Sequence, residues 1–240
     1  MYKNKFLPLL LPFRCIAFVL IFVIGAAVTG KEVGNISNWW TVAASVLNIV
    51  TIGIILLVAK KCGTGYKELM NLKKQERSKK KTVLLVLGFI MAGTVGMYLA
   101  GFICYGVIPY SSPVMIRPIP VVLAVINFLV LPLTVPFAED GLYLGCGTAQ
   151  IKNKYAAVIV PAFFFALQHS FIPMAFDFKY IIYRFLSFLP LTVIFCIYFQ
   201  KKRDPLPIMA AHAILDLATV VLVLVTSVSP EIYDKLLSMQ

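Results

Sequence analysis

Three polar intrusions interrupt the apolar stretches of this sequence, and together they hold both of its histidines. The first contains Glu139 and Asp140 in PFAEDGLY, the second His169 in FALQH, and the third His212 and Asp216 in HAILD. An ionisable side chain inside hydrocarbon costs between about 2.5 and more than about 10 kcal/mol, so such groups are usually functional. Carboxylates and imidazoles accept and donate protons, which makes general acid–base chemistry the first expectation.

Helical spacing can bring these side chains onto shared faces. Residues four apart lie on one face of a helix, so His212 and Asp216 can point into one cavity, and Phe165 can pack beneath His169. From the helical rise, Glu139 and His212 each lie ~10 Å from a helix end on the same side of the membrane. His169 reaches that depth only if its helix starts late or is tilted. A single histidine often only hydrogen-bonds to a neighbouring helix, but three intrusions favour one polar cavity.

The composition is that of a membrane protein. Of the 240 residues, 60% are apolar and only 13% are charged, which excludes a soluble domain with an ordinary polar surface. Much of the net charge of +12 lies in loop 60–81, where nine Lys and Arg face only Glu68 and Glu76. No groove-reading motif accompanies this charge, so we expect no binding to nucleic acid. The five cysteines are dispersed and form no CxxC, which argues against a disulfide framework and a zinc cluster.

A membrane-spanning helix needs about 20 mostly apolar residues, and this length predicts about seven spans. Their approximate limits are 8–29, 39–59, 82–107, 120–144, 155–173, 180–199 and 205–228. The first is expected to be a retained helix, because it is long and lacks a small-x-small cleavage site. The sequence therefore predicts an all-α, polytopic membrane helix bundle in a single domain, 1–240. Within it, 1–119 holds the N-terminal helices and a basic cytoplasmic loop, and 120–228 holds the helices with the polar intrusions.

The basic residues also predict the orientation of the bundle. With the N-terminus inside, seventeen of the 22 Lys and Arg lie on or near the cytoplasmic side of the membrane. We therefore expect a multi-pass protein of the cell (cytoplasmic) membrane with its N-terminus inside and its C-terminus outside. The basic loop, residues 60–81, would contact the anionic inner leaflet and could form an interfacial helix there.

The order of the motifs resembles a known family. An acidic pair in a helix is followed by FxxxH, and then by HxxxD after the basic, proline-containing turn KKRDPLP. Over residues 120–225 this arrangement resembles the CPBP family of intramembrane proteases, which includes type II CAAX prenyl endopeptidases and bacteriocin-processing or immunity homologues. The resemblance implies an intramembrane endopeptidase that cleaves a membrane-associated peptide or protein from the cytoplasmic side.

The first motif departs from the family pattern, which is usually EExxxR. Glu139 matches the first acid, Asp140 replaces the second Glu, and Leu144 stands in the place of the Arg. An Arg there could pair with a carboxylate and keep it ionised, so its absence implies reduced activity unless another cation substitutes. The candidate substitutes are His169, His212, Arg14 and Arg184. The two arginines are otherwise expected to snorkel to opposite membrane faces.

The resemblance also implies roles for the polar side chains. Glu139, assisted by His169, would be the general base that takes a proton from the attacking water. His212 would stabilise the developing oxyanion, which is worth roughly 3 to 4 kcal/mol per well-placed donor. Asp216 stands where Asn is commoner in the family, and it would orient His212 or, if protonated, donate a hydrogen bond itself. Asp140 completes the set of catalytic candidates.

The sequence does not decide whether the protein needs a cofactor. Glutamate-activated water requires none, whereas Glu139, His169 and His212 could instead bind zinc, with a water as the fourth ligand. The sequence contains no HExxH motif.

Two other functions fit the same pattern. A catalytically altered CPBP fold could serve as an immunity or regulatory scaffold, which the residues Leu144 and Asp216 would favour. A small proton-coupled transporter could also place Glu, His and Asp in the middle of the membrane, although no inverted repeat is visible. If the protein is a protease, its substrate could be a prenylated tail, a leader peptide or a pheromone, and the sequence does not distinguish them.

Overall fold

Helices form all the regular structure that the computed structural model describes, which covers residues 4–73, 78–108 and 112–238. In chain order they are α1 (Phe13–Thr29), α2 (Val33–Ser37), α3 (Trp40–Lys61), α4 (Tyr66–Leu69), α5 (Lys79–Tyr105), α6 (Val121–Val135), a π-helix (Pro136–Thr148), α7 (Ala156–His169), α8 (Phe178–Lys202), α9 (Leu206–Val228) and α10 (Pro230–Ser238), with 3-10 turns at Leu7–Leu10 and Pro113–Ile116. The all-α prediction is therefore confirmed. Lys3, residues 74–77 of the basic loop (including Glu76) and residues 109–111 lie outside the described residues.

Six helical spans in the described part of the chain are long and apolar enough to cross a membrane. They are Leu7–Thr29, Trp40–Lys61, Lys79–Tyr105, Val121–Thr148, Phe178–Lys202 and Leu206–Val228. The remaining predicted span, 155–173, is the shorter helix α7, whose 14 residues extend only ~21 Å. The prediction of a bundle of about seven membrane helices is thus confirmed, with one short member. The sides of the membrane that the two termini face stay a prediction.

The fourth span changes its helix type halfway along. Helix α6 contains Pro132 and ends at Val135, and the π-helix starts at Pro136, which has no N–H to continue the α-helical hydrogen bonds. A π-helix bonds each residue to the one five positions away, and such segments occur frequently at functional sites. This one carries Glu139 and Asp140, and it extends to Thr148, beyond the predicted end near 144.

The π-helix is the central element of the bundle. Ala138 and every following residue to Thr148 are buried, and the segment contacts α3, α7, α8 and α9. Helix α8 packs against α5 and α7, and α6 packs against α9, so these neighbours enclose it. The large apolar core beside it includes Tyr143, Leu144 and Phe165.

The described part of the basic loop folds against this central helix. Oη of Tyr66 in α4 donates a hydrogen bond to the carbonyl of Phe137 at 2.8 Å. Leu69 and Met70 are fully buried beside Gly145, where an added Cβ would lie only 3.1 Å and 3.0 Å from their side chains. The predicted interfacial helix is therefore, in its described part, a four-residue helix packed on protein.

Candidate active site

Glu139 occupies the centre of the candidate site. Its side chain is buried, and its Oε1 accepts a hydrogen bond from Nη2 of Arg14 at 2.8 Å. Its Oε2 accepts a hydrogen bond from Nε2 of Gln168 at 2.6 Å. The same Oε2 lies 3.8 Å from Nε2 of His169 and 3.8 Å from Nε2 of His212. The three polar intrusions therefore meet at Oε2 of Glu139.

His169 is the last residue of α7, and two neighbours fix its imidazole. Its Nδ1 lies 2.8 Å from the carbonyl oxygen of Phe165, one turn earlier in the helix. A carbonyl only accepts hydrogen bonds, so Nδ1 carries a proton and Nε2 presents its lone pair to Glu139 when the ring is neutral. The ring also stacks on Phe188, with centroids 3.6 Å apart. Helix α7 starts at Ala156, about where the sequence predicted, and His169 at its end lies 3.8 Å from Glu139.

His212 projects from α9 between two aspartates. Its Nδ1 lies 3.1 Å from Oδ1 of Asp140, and its Nε2 lies 3.4 Å from Oδ2 of Asp216. Asp140 is fully buried and forms the hydrogen bond that orients the ring, whereas the side chain of Asp216 is 26% exposed. The expected partner for orienting His212 was Asp216, four residues on in the same helix. The structure gives the closer contact to Asp140, which comes from the adjacent π-helix.

The five predicted residues thus form one group, called the polar cluster below: Glu139, Asp140, His169, His212 and Asp216. The 3.8 Å separations at Glu139 are too long for direct hydrogen bonds, and one water can bridge Glu139 to either imidazole. Among the described residues, the buried Oδ2 of Asp140 has no hydrogen-bond partner, so this side of the cluster also has the capacity to bind water or a substrate donor.

Arg14 belongs to the site although it lies far away in the sequence. It was expected to snorkel to the membrane surface, and that prediction was wrong, because its side chain is 0% exposed and pairs with Glu139. Arg184 is also buried, and it donates to the carbonyls of His169 and Ile172 at 3.3 and 3.0 Å. Of the two arginines considered as substitutes for the missing motif Arg, Arg14 is therefore the one that contacts the acid.

Gln168 and Tyr143 are further members of the site that the sequence reasoning missed. Oε1 of Gln168 accepts hydrogen bonds from Nε of Arg14 at 2.8 Å and from Oη of Tyr143 at 3.0 Å. A signal for Gln168 was present, because an amide inside an apolar helix needs a partner on another helix. Tyr143 gave no such signal, since tyrosine is common in apolar segments.

The polar cluster does not fit a metal site as it stands. Within the described ranges, no three His, Cys, Asp or Glu side chains are placed to hold one metal ion. Both oxygens of Glu139 accept hydrogen bonds from Arg14 and Gln168, so a metal ion would have to compete with these donors. Zinc binding by Glu139, His169 and His212 therefore stays an untested prediction.

Comparison with protein-family models gives a match to part of the chain. The family model described as type II CAAX prenyl endopeptidase Rce1-like matches residues 121–218, which run from the start of α6 into α9. Searches of curated proteins and of solved structures found no match. The matched residues contain the whole polar cluster, whereas Arg14 lies outside them. Residues 121–218 therefore carry an Rce1-like type II CAAX prenyl endopeptidase domain, which supports membership of the CPBP family of intramembrane proteases.

Proposed function

We propose that this protein is an intramembrane endopeptidase in which Glu139 and His169 activate a water molecule for attack on a peptide bond. One observation carries the proposal: Oε2 of Glu139 lies 3.8 Å from Nε2 of His169 and equally far from Nε2 of His212. A carboxylate and two imidazoles that come this close together inside an apolar bundle are suited to proton transfer. The family match over residues 121–218 supports protease activity in general.

The proposed reaction begins with a water between Glu139 and His169. Its proton passes to Oε2 of Glu139, its oxygen forms a bond to the scissile carbonyl carbon, and the carbonyl π electrons move onto the carbonyl oxygen. Nε2 of His212, when protonated, donates a hydrogen bond to that oxyanion and contributes about 3 to 4 kcal/mol to transition-state stabilisation. When the carbonyl re-forms, the C–N bond breaks and the proton on Glu139 passes to the leaving amine.

Asp140 and Asp216 would support His212 in different ways. Asp140 holds Nδ1 at 3.1 Å and so fixes the ring orientation throughout the reaction. Oδ2 of Asp216 lies 3.4 Å from Nε2 without a hydrogen bond to it, so the substrate oxyanion can take its place beside that nitrogen. Because the two aspartates contact different ring nitrogens, their substitution should have different effects.

The proposed substrate is a membrane-associated peptide or protein that is cleaved near the cytoplasmic face. The name of the matching family makes a prenylated C-terminal tail the first candidate, and a leader peptide is the second. The alternative of a non-catalytic scaffold drew on Leu144, and the contact between Arg14 and Glu139 weakens that argument by giving the acid a cation. A transporter gains no support from these contacts.

The test uses the purified full chain in nanodiscs that contain anionic lipid. A panel of prenylated, unprenylated and leader-type peptides is incubated with the wild type, Glu139→Gln and His169→Ala, and the products are identified by mass spectrometry. We expect one peptide class to be cleaved at a defined bond, with a loss of roughly 100-fold or more in each variant. Activity that survives both substitutions would sink the proposal.

Two controls sharpen the experiment. Asn127→Ala removes a different buried polar contact, between α6 and α3, and should retain cleavage. Wild-type cleavage in the presence of a strong chelator is expected for glutamate-activated water, and its abolition, followed by recovery with zinc, would favour the metal-dependent alternative.

A further inference from the structure

We infer that Arg14, with Gln168, performs the positioning role of the Arg that is absent from position 144. This inference rests on the proposed function, in which Glu139 is the general base. Arg14 lies on α1, far outside the matched residues 121–218, so the first membrane helix becomes part of the catalytic unit. Arg14 acts through Glu139 and is a positioning residue.

The contacts of Arg14 give each nitrogen of its guanidinium a hydrogen-bond partner. Its Nη2 donates to Glu139 at 2.8 Å, its Nε to Gln168 at 2.8 Å, and its Nη1 to Oγ1 of Thr51 at 3.1 Å. The guanidinium also lies over the ring of Phe18, 5.3 Å from its centroid. The planar fork of Arg allows these simultaneous bonds, which the point charge of a Lys does not. With 0% exposure, such a side chain is retained only because every contact compensates for lost hydration.

Gln168 closes a ring of hydrogen bonds around the carboxylate. Its Oε1 accepts from Arg14 and Tyr143, so its amide nitrogen must face Oε2 of Glu139, to which it donates at 2.6 Å. Arg14, Glu139 and Gln168 therefore each bond to the other two. This closed arrangement restricts the rotation of the Glu139 carboxylate and aims its Oε2 at the two histidines.

Position 144 does not provide this support. Leu144 follows Glu139 by five residues in the π-helix, which is the spacing of one hydrogen-bonded turn, and it is fully buried in the apolar core. The cation instead reaches Glu139 from α1, across the bundle. The requirement for a positive partner is thus met by a helix that the motif does not include.

The kinetic test compares Arg14→Met and Arg14→Lys with the wild type on the peptide identified for the proposed function. We expect Arg14→Met to lower kcat by roughly 100-fold with an unchanged KM, because a base that is misplaced by about 1 Å loses that much. Arg14→Lys should give an intermediate kcat, since it retains the charge without the fork. Asn127→Ala is the matched control for losing a buried polar contact. A wild-type kcat in Arg14→Met, or a loss confined to KM, overturns the inference.

A second measurement tests the pairing of Arg14 with Glu139 without any substrate. Thermal unfolding is recorded for Arg14→Met, Glu139→Gln and the double variant in the same detergent. We expect the double variant to unfold no lower than Arg14→Met, because the second substitution removes the carboxylate that the first left unpaired. If the losses in Tm of the two single variants simply add in the double variant, the inference is overturned. If the wild type cleaves no peptide, the proposed function fails. The comparison of the two single variants with the double variant still decides whether Arg14 is the partner of Glu139.

Discussion

Gly141→Ala is the substitution whose consequence follows most directly from the geometry. A Cβ at Gly141 would lie 2.8 Å from Oη and 2.9 Å from Cε2 of Tyr66, closer than real Cβ contacts. The ring of Tyr66 is held in place, because its hydroxyl donates to the carbonyl of Phe137 at 2.8 Å. Burial raises the pKa of this hydroxyl, so it remains a donor at any pH used for unfolding experiments. The new methyl group must therefore displace α4 from the π-helix.

The magnitude follows from three contributions. Overpacking costs about 1 to 3 kcal/mol, and loss of the Tyr66 hydrogen bond costs about 1 kcal/mol. The better helix propensity of Ala offsets about 1 kcal/mol of this. We therefore expect a net loss of about 1 to 3 kcal/mol in the free energy of unfolding. For a chain of this length that corresponds to a fall in Tm of ~2 to 12 °C.

The assay is thermal unfolding of the purified protein in detergent, followed by circular dichroism. Gly88→Ala is the matched control, because a Cβ there meets nothing within 4 Å, and its Tm should stay level or rise. Adding Tyr66→Ala to Gly141→Ala should recover part of the loss by making room for the methyl group. If Gly141→Ala and Gly88→Ala unfold at the same temperature, the packing of α4 on the central helix is refuted.

Three other substitutions test the polar cluster and its surroundings. Asp140→Asn should lower kcat by roughly 100-fold, because His212 loses the carboxylate at Nδ1. Asp216→Asn should lower kcat by less than about 10-fold. Equal losses of kcat in the two variants would contradict the different roles of the two aspartates. Phe188→Ala removes the ring that stacks on His169. It should cost about 2 to 4 kcal/mol in the free energy of unfolding and also lower the kcat of the folded protein, which parallel unfolding and kinetic measurements will show. Leu144→Arg should give no gain in kcat, since Glu139 already has a cation in Arg14. It should also lower Tm, because the new cation would be buried in apolar surroundings. A higher kcat would contradict the assignment of Arg14 as the partner of Glu139.

The polar cluster could be predicted from the sequence because its members are expensive where they stand. Glu139, Asp140, His169 and His212 interrupt helices that are otherwise apolar, and hydrocarbon tolerates such groups only where they can meet one another. Helix length and hydropathy likewise predicted the spans, since a membrane imposes a minimum length. Both inferences use local properties of the chain, and the structure brings the four residues together within hydrogen-bonding or water-bridging distance.

The contacts that complete the site depend on how the helices are arranged, which local properties do not determine. Arg14 and Glu139 are separated by more than a hundred residues, and an Arg near a helix end is by default assigned to the membrane surface. The choice of Asp140 over Asp216 as the partner for Nδ1 of His212 depends on the rotation of α9 against the π-helix. The helix type at Pro136 also escaped prediction, because a proline in a membrane helix is compatible with a kink, a break or a π segment.

Charge balance is therefore a better guide to this site than the motif alone, for a physical reason. A buried carboxylate needs a cation and donors within hydrogen-bonding distance, whatever their position in the sequence. Here α1 supplies the cation, α7 supplies the amide of Gln168, and Leu144 is left free to pack in the apolar core. Leu144 would be a defect only if the cation had to come from the same motif. The network predicts instead that a variant of position 144 matters through packing, while a variant of Arg14 matters through Glu139.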